Sequence, residues 1–127
     1  MRIPPQFKGR ATALRERFGN HIVAGNALVL LLASWTPGDE MIRTEILSGH
    51  AEHVTAYALS GALMCAMLVG RYTTWWIAAT LVAYAGIPEL GQMFVPGRHA
   101  AFEDFLFSAT GAFGGVIACA VLRRFIR

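Results

Sequence analysis

The chain has 127 residues, of which 55% are hydrophobic and only 15% are charged. Soluble domains carry about 25% charged residues, and a chain this short cannot bury so much apolar surface in one soluble core. The apolar content excludes disorder, and two cysteines are too few for a disulfide scaffold. The net charge of +3 comes from basic residues at the chain ends and beside apolar runs, which does not predict a nucleic-acid partner. A single domain surrounded by lipid, residues 1–127, is therefore expected.

Four stretches of the chain are free of Asp, Glu, Lys and Arg, and each is 17 to 21 residues long: 18–38, 53–70, 72–88 and 105–122. A helix of about 17 to 25 apolar residues crosses the hydrocarbon core of a bilayer. Because lipid offers no partner to an open backbone N–H or C=O group, these stretches are predicted to be helical. The predicted fold is all-α, a polytopic bundle of four transmembrane helices with spans at about 20–37, 53–70, 72–91 and 104–122.

The N-terminal segment before the first span is basic, and its interpretation stays open. Residues 7–18 mix basic and apolar side chains, which is typical of a short interfacial helix on a membrane surface but also of a solvated tail. The first span itself could be a secretory signal. Because the basic region is long and no small-residue cleavage pattern follows Trp35-Thr36-Pro37, an uncleaved span is the prediction.

The Lys and Arg residues predict how the bundle is oriented. With four spans, nine of the eleven lie on the side that holds both termini and the connection around Arg71, whereas Arg43 and Arg98 lie on the other side. All the acidic residues except Glu16 belong to that other side. Since Lys and Arg mark cytoplasmic loops, we predict a protein of the bacterial inner membrane with both termini in the cytoplasm.

The start of the second span carries His50, His53 and Tyr57 at helical spacing, on one side of the predicted helix. His53 is a candidate catalytic acid or base, and Tyr57 is a candidate binding residue. The alternatives are a metal site formed by both imidazoles and a polar helix start anchored at the interface by Tyr57. We assign no metal and no cofactor.

The end of the third span carries Glu89 and Gln92 about one turn apart, followed by a predicted turn at Pro96-Gly97-Arg98. An ionisable group at membrane depth usually faces a bundle interior, so Glu89 is a candidate catalytic residue and Gln92 a candidate binding residue. Glu89 at the water boundary is the alternative. The planar guanidinium of Arg98 suits a phosphate or carboxylate, either on a ligand or on Glu89.

The last span opens with Asp104, a candidate catalytic residue that would orient a partner. Stabilisation of the helix N-terminus by this carboxylate is the alternative. Ser108 lies four residues later on the same side and is a candidate binding residue. Gly111 and Gly115 form a GxxxG pattern, which permits close helix packing either within the chain or in a homodimer.

Together these motifs resemble the VanZ-like family of small bacterial membrane proteins. The likeness covers residues 50–122 and rests on a histidine four residues before a tyrosine, an E-x-x-Q-x-x-x-P-x-R segment and an aspartate that opens the last span: His53, Tyr57, Glu89, Gln92, Pro96, Arg98 and Asp104. Two positions depart from the family. Gly49-His50 stands where many members have an Asp-Lys pair, and Ser108 stands where they have asparagine.

The resemblance implies a four-helix protein of the cell envelope, in a family linked to teicoplanin resistance and exopolysaccharide synthesis. We expect a polar pocket near the outer face that binds or modifies the polar part of a membrane lipid or lipid-linked envelope precursor. The alternative is a structural or accessory subunit whose polar residues form an internal clasp. Its small-residue faces would then bind another membrane protein. Whether the chain is an enzyme stays open.

Overall fold

The fold is known from a computed structural model, which describes residues 5–36, 49–97 and 101–126. Within these ranges the chain forms four helices and no strand, which confirms the all-α class: α1 (Pro5–Trp35), α2 (Gly49–Leu68), α3 (Thr74–Gln92) and α4 (Phe102–Ile126). Two helical segments are long and apolar enough to cross a membrane, namely Arg15–Trp35 within α1 and the whole of α4.

α1 runs without a break from the basic N-terminal segment into the first apolar stretch. Residues 7–18, for which an interfacial helix and a solvated tail were both open, therefore belong to α1 and form no separate element. Pro5 suits the first turn of a helix, and the segment 11–17 contains neither glycine nor proline and is rich in good helix formers. Nothing in the sequence stops the helix before it becomes apolar.

The connection between α2 and α3 is a tight turn. Gly70 has a φ of 100°, a conformation that residues with a side chain rarely adopt. The backbone N–H groups of Arg71 and Tyr72 both donate to the carbonyl of Leu68, at 3.0 and 3.1 Å. Thr73 caps α3 by accepting a hydrogen bond from the N–H of Trp76. So short a connection between two apolar stretches predicts an antiparallel hairpin, and this turn forms it.

Contacts between helices show that neighbouring helices along the chain alternate in direction. At one end, Arg71 donates to the side chain of Asn20 in α1 (3.0 Å), and Arg123 of α4 donates to the carbonyl of Ala66 in α2 (3.4 Å). At the other end, Trp35 of α1 donates through Nε1 to the carbonyl of Pro88 in α3 (3.2 Å). Both α1 and α3 therefore point away from the end that holds the start of α1 and the end of α4.

We name the two ends of the bundle by their side chains. The basic end holds the arginines Arg15, Arg17, Arg71, Arg123 and Arg124. The polar end holds the candidate site residues His53, Glu89, Gln92 and Asp104, together with His50.

α2 and α4 run in the same direction and make the most extensive helix contact in the bundle. A Cβ atom on Gly111 would overlap the backbone of Val54, and one on Gly115 would overlap the backbone of Ala58. The GxxxG pattern therefore packs within the chain, as the first of its two interpretations predicted. Both glycines are buried there, so a homodimer would have to use other surfaces.

The interior is built mostly from small and medium side chains, and large apolar side chains lie outside. The core consists of Leu30, Tyr57, Met64, Cys65, Ile77, Ala78, Leu81, Ala85, Ala112 and Val116. Exposed large apolar residues occur on all four helices, among them Leu28, Val29, Leu32, Leu59, Trp75, Trp76, Ile87, Leu90, Leu106, Phe113, Leu122 and Phe125. A water-soluble monomer rarely exposes so continuous an apolar surface.

Candidate functional site

The outermost contact at the polar end joins α2 to the first turn of α4. His50 Nε2 lies 3.5 Å from Asp104 Oδ1 and 3.9 Å from Glu103 Oε2, and its ring stacks on Phe107 with 4.4 Å between centroids. These side chains are partly exposed, so an ion pair here contributes at most about 1 kcal/mol to stability. The Asp104 carboxylate therefore contacts the His50 ring at the rim of the polar end.

One turn deeper, His53 contacts the second polar residue of α4. His53 Nδ1 and Ser108 Oγ are 3.1 Å apart and share a hydrogen bond. The Ser108 side chain is fully buried, so a ligand cannot reach its hydroxyl group without displacing a helix. This geometry suits a residue that fixes the orientation of the His53 ring, and not a nucleophile.

Three further candidates are buried, Tyr57 on α2 and Glu89 and Gln92 on α3. Tyr57 is 3% exposed, Glu89 is 7% exposed and Gln92 is 2% exposed. The Tyr57 hydroxyl lies within electrostatic range of the Glu89 carboxyl group and of Tyr84. The alternative that placed Glu89 in open water at the boundary is therefore wrong. A carboxyl group in an apolar interior costs several kcal/mol when charged, which is why such groups are usually functional or paired.

A cavity of about 160 Å³ opens between α1 and α2 at this end, and its lining combines apolar and polar groups: Leu30, Ala33, Ser34, Glu52, His53, Ala56 and Tyr57. Pockets that enclose a whole small molecule measure about 300 to 1,000 Å³. This cavity is smaller, so it has room for a phosphate-sized or hydroxyl-bearing group. An attached chain would have to lie outside it, along the apolar surface of α1.

The structure brings most of the predicted site residues together, but in two layers. His53, Tyr57, Glu89 and Ser108 form the inner layer, where α2 contacts both α3 and α4. Asp104 belongs to the outer layer with His50. Arg98, the predicted anion ligand, lies outside the described residues, and so do the contacts expected of it.

The two histidines of α2 contact different residues. His50 faces the acidic first turn of α4, whereas His53 bonds Ser108 and lines the cavity. Within the described residues, no group of three or more His, Cys, Asp or Glu side chains is placed to hold a metal ion. The metal alternative therefore gains no support from the geometry.

Sequence reasoning missed three residues at this end. Ser34 and Glu52 line the cavity, and the Trp35 indole packs so closely on Gly91 that a Cβ atom there would overlap the ring. Glu52 could have been found from its position beside His53. Ser34 and Trp35 lie at the end of α1, a helix that carries no motif, so nothing in their local sequence indicates which helix they face.

Comparisons with known proteins identify no relative of this chain. The motif resemblance spans residues 50–122, and within it the residues that the structure describes form one bundle with a connected polar end. The VanZ-like assignment nevertheless depends on those motifs alone, and it stays a prediction. No protein-family model, curated protein or solved structure matches the chain.

Proposed function

We propose that the chain is a four-span, VanZ-like protein of the bacterial inner membrane, with the basic end in the cytoplasm and the polar end at the outer face. Large apolar side chains on the surface of all four helices support this placement, because lipid accepts them and water does not. The alternating helix directions and the arginines gathered at one end support the same orientation. In this proposal α2 and α3 also cross the membrane, as a hairpin within the bundle.

The polar end, in this proposal, binds the polar part of a lipid or of a lipid-linked envelope precursor. The observation that carries it is the cavity between α1 and α2, where His53 and Tyr57 face apolar side chains of α1. Such a cavity fits a molecule with a polar head and an apolar tail, because the head enters between the helices while the tail stays in lipid. The exposed apolar surface of α1 continues from the cavity along Leu28, Val29 and Leu32.

Each inner-layer residue has a role that follows from its position. Tyr57 lines the cavity, and Ser108 fixes the ring of His53 through the 3.1 Å hydrogen bond. His53 is then the candidate for proton transfer at the bound head group. Glu89 lies behind Tyr57 and acts on it electrostatically, so we assign it a positioning role and not direct contact with the ligand.

One observation favours the second candidate function, an internal clasp in an accessory subunit. Ser108, Gln92 and Glu89 are all buried, so much of the polar end is shielded by the protein itself. A clasp would hold α2, α3 and α4 together and leave recognition to the outer surface. The two functions differ in what happens when a polar group is changed without loss of folding.

Envelope physiology tests the proposal. In a strain that lacks the chromosomal copy, plasmids supply the wild-type chain, His53→Ala or Glu89→Gln, and growth is measured in a glycopeptide series. We expect both variants to lose most of the envelope phenotype at normal expression levels. The matched controls are His21→Ala and Glu16→Gln, which make the same changes at exposed positions outside the polar end. Full activity of His53→Ala would overturn the binding role.

A double-mutant cycle in detergent distinguishes the site from the clasp. Thermal unfolding is compared for the wild type, His53→Ala, Ser108→Ala and the double variant. The His53–Ser108 hydrogen bond predicts a coupling energy of about 0.5 to 3 kcal/mol in both functions, and a clasp also predicts a loss of function that follows the loss of stability. A binding site predicts that Glu89→Gln, which keeps the shape of the side chain, unfolds near the wild-type temperature and is still inactive.

A further inference from the structure

A second concave surface lies at the basic end, between the start of α3 and the last turns of α4. Two adjacent cavities of about 180 and 440 Å³ share four residues and so form one groove: Val69, Thr74, Ala120 and Arg124. The larger cavity is also lined by Tyr72, Thr73, Trp75, Ile117 and Val121. None of these residues belongs to the polar end, and the proposed outer site does not use them.

The groove changes character along its length. Arg123 and Arg124 lie at its outer end, whereas its inner part is apolar and continues to Trp75, whose ring lies 5.9 Å from that of Phe113. From Ile117 to Arg124, which both line the groove, helix α4 rises about 10 Å, at about 1.5 Å per residue. A molecule that fits here has a charged head at one end and a chain of about that length.

The positive charge of the basic end favours a negatively charged head group. Glu16 is the one acidic residue beside five described arginines: Arg15, Arg17, Arg71, Arg123 and Arg124. Arg71 and Arg123 are used within the bundle, since each donates a hydrogen bond to a neighbouring helix. Among the described residues, Arg124 has no ion-pair or hydrogen-bond partner, and it lines both cavities.

We propose that this groove binds one anionic phospholipid of the inner leaflet, with its phosphate at Arg124 and an acyl chain against Ile117, Val121 and Trp75. Basic pockets between transmembrane helices on the cytoplasmic side are suited to anionic head groups. The aromatic ring of Tyr72, in the α2–α3 turn, is amphipathic and belongs at head-group level. The inference uses the proposed membrane placement, but it is independent of the proposed activity of the polar end.

Native mass spectrometry of the full chain in detergent tests the inference, with phosphatidylglycerol as the anionic probe and phosphatidylcholine as the zwitterionic one. We expect retention of phosphatidylglycerol in preference to phosphatidylcholine. Arg124→Gln should weaken phosphatidylglycerol binding about fivefold, the equivalent of about 1 kcal/mol for one arginine near an anionic lipid surface. Arg17→Gln is the control, because Arg17 lies at the same end over the Phe18 ring and lines neither cavity.

The shape of the groove is tested separately by Ala120→Phe, which fills it and keeps every arginine. We expect this variant to lose phosphatidylglycerol binding while the midpoint of thermal unfolding stays within a few degrees of wild type. Equal losses in Arg124→Gln and Arg17→Gln would overturn the inference, because bulk charge would then account for the binding. Unchanged binding in Arg124→Gln and Ala120→Phe would overturn it as well.

Two further measurements distinguish this lipid site from a soluble-anion site and from the proposed site at the polar end. Millimolar inorganic phosphate should not displace phosphatidylglycerol; displacement would indicate a soluble anion site and overturn the lipid assignment. His53→Ala should bind phosphatidylglycerol as the wild type does, because it alters only the polar end. A loss of envelope function in His53→Ala with intact phosphatidylglycerol binding supports both sites, and the failure of either site leaves the other assay unaffected.

Discussion

Two neighbouring glycines in α4 have opposite surroundings. Gly114 has open space where a Cβ atom would be added, whereas a Cβ atom on Gly115 would overlap the carbonyl group of Ala58 in α2. The contact at Gly115 involves backbone atoms, which cannot move aside as a flexible side chain can. Glycine at position 115 therefore allows α2 and α4 to approach closely, whereas glycine at position 114 has no effect on that approach.

This difference predicts opposite effects of the same substitution. Gly114→Ala should leave stability unchanged or raise it by up to about 1 kcal/mol, because alanine is the better helix former. Gly115→Ala should lower stability by about 1 to 3 kcal/mol, the usual cost of overpacking a tight contact. Thermal unfolding in detergent compares the two variants directly. Equal stabilities would contradict the close packing of α2 on α4.

At the scale of helices, the parallel pair α2 and α4 organises the polar end. The pairs His50 with Asp104, His53 with Ser108, and Ala58 with Gly115 follow one another down the two helices. Small residues set the distance between the helices, and the polar pairs near their starts use that distance. A change in the register of α4 would therefore break the histidine contacts and the glycine packing together.

The two cysteines report on this register. Cys65 of α2 faces Cys119 of α4 near the end of α2, close enough for the two thiol groups to interact. Treatment with iodine should oxidise the two thiols to an intramolecular disulfide, with release of two protons and reduction of iodine to iodide. Intact-mass measurement should show the loss of two hydrogen atoms and protection from alkylation.

Cys119→Ser is the control for this cross-link and should leave Cys65 open to alkylation after unfolding. The structure predicts a monomeric product, since both thiols belong to one chain. Disulfide-linked dimers as the main product would contradict the intramolecular pairing. Two thiols that stay reduced under iodine would contradict the register of α2 and α4.

At the scale of the whole molecule, the question is how many helices cross the membrane. Two helical segments meet the criteria of length and apolarity, whereas the proposed function has four spans. Both termini lie on the same side of the membrane with two spans and with four, so their location does not distinguish the two arrangements. The turn between α2 and α3 does decide, because it is cytoplasmic with four spans, whereas an external turn would also break the Arg71–Asn20 contact at the basic end.

Cysteine accessibility tests this point in a Cys65→Ala, Cys119→Ala background. Tyr72 lies in the α2–α3 turn and Phe94 lies just beyond α3, and both side chains are exposed, at 58% and 87%. We expect an impermeant maleimide to label Phe94→Cys in intact spheroplasts, and to label Tyr72→Cys only after permeabilisation. Labelling of Tyr72→Cys from outside would contradict the four-span arrangement.

Much of this architecture could be predicted from the sequence, because its signals are local. Runs without charged residues predicted the helices, and the short connection at Arg71 predicted the α2–α3 hairpin. The helix boundaries were harder to predict: α1 includes residues 7–18, whose interpretation the sequence left open, and α2 begins before His53. The end of a helix depends on the balance of a few weak local preferences, which packing readily changes.

The amino-acid sequence by itself determined that this protein is helical, strongly apolar and basic at the ends of its chain, because composition, periodicity and charge are properties of neighbouring residues. Only the tertiary structure decided that Gly115 packs on Ala58, that His53 bonds Ser108, and that Glu89 is buried near Tyr57. Those contacts join residues far apart in the chain. They depend on the register between helices, which side-chain packing fixes and which no local pattern encodes.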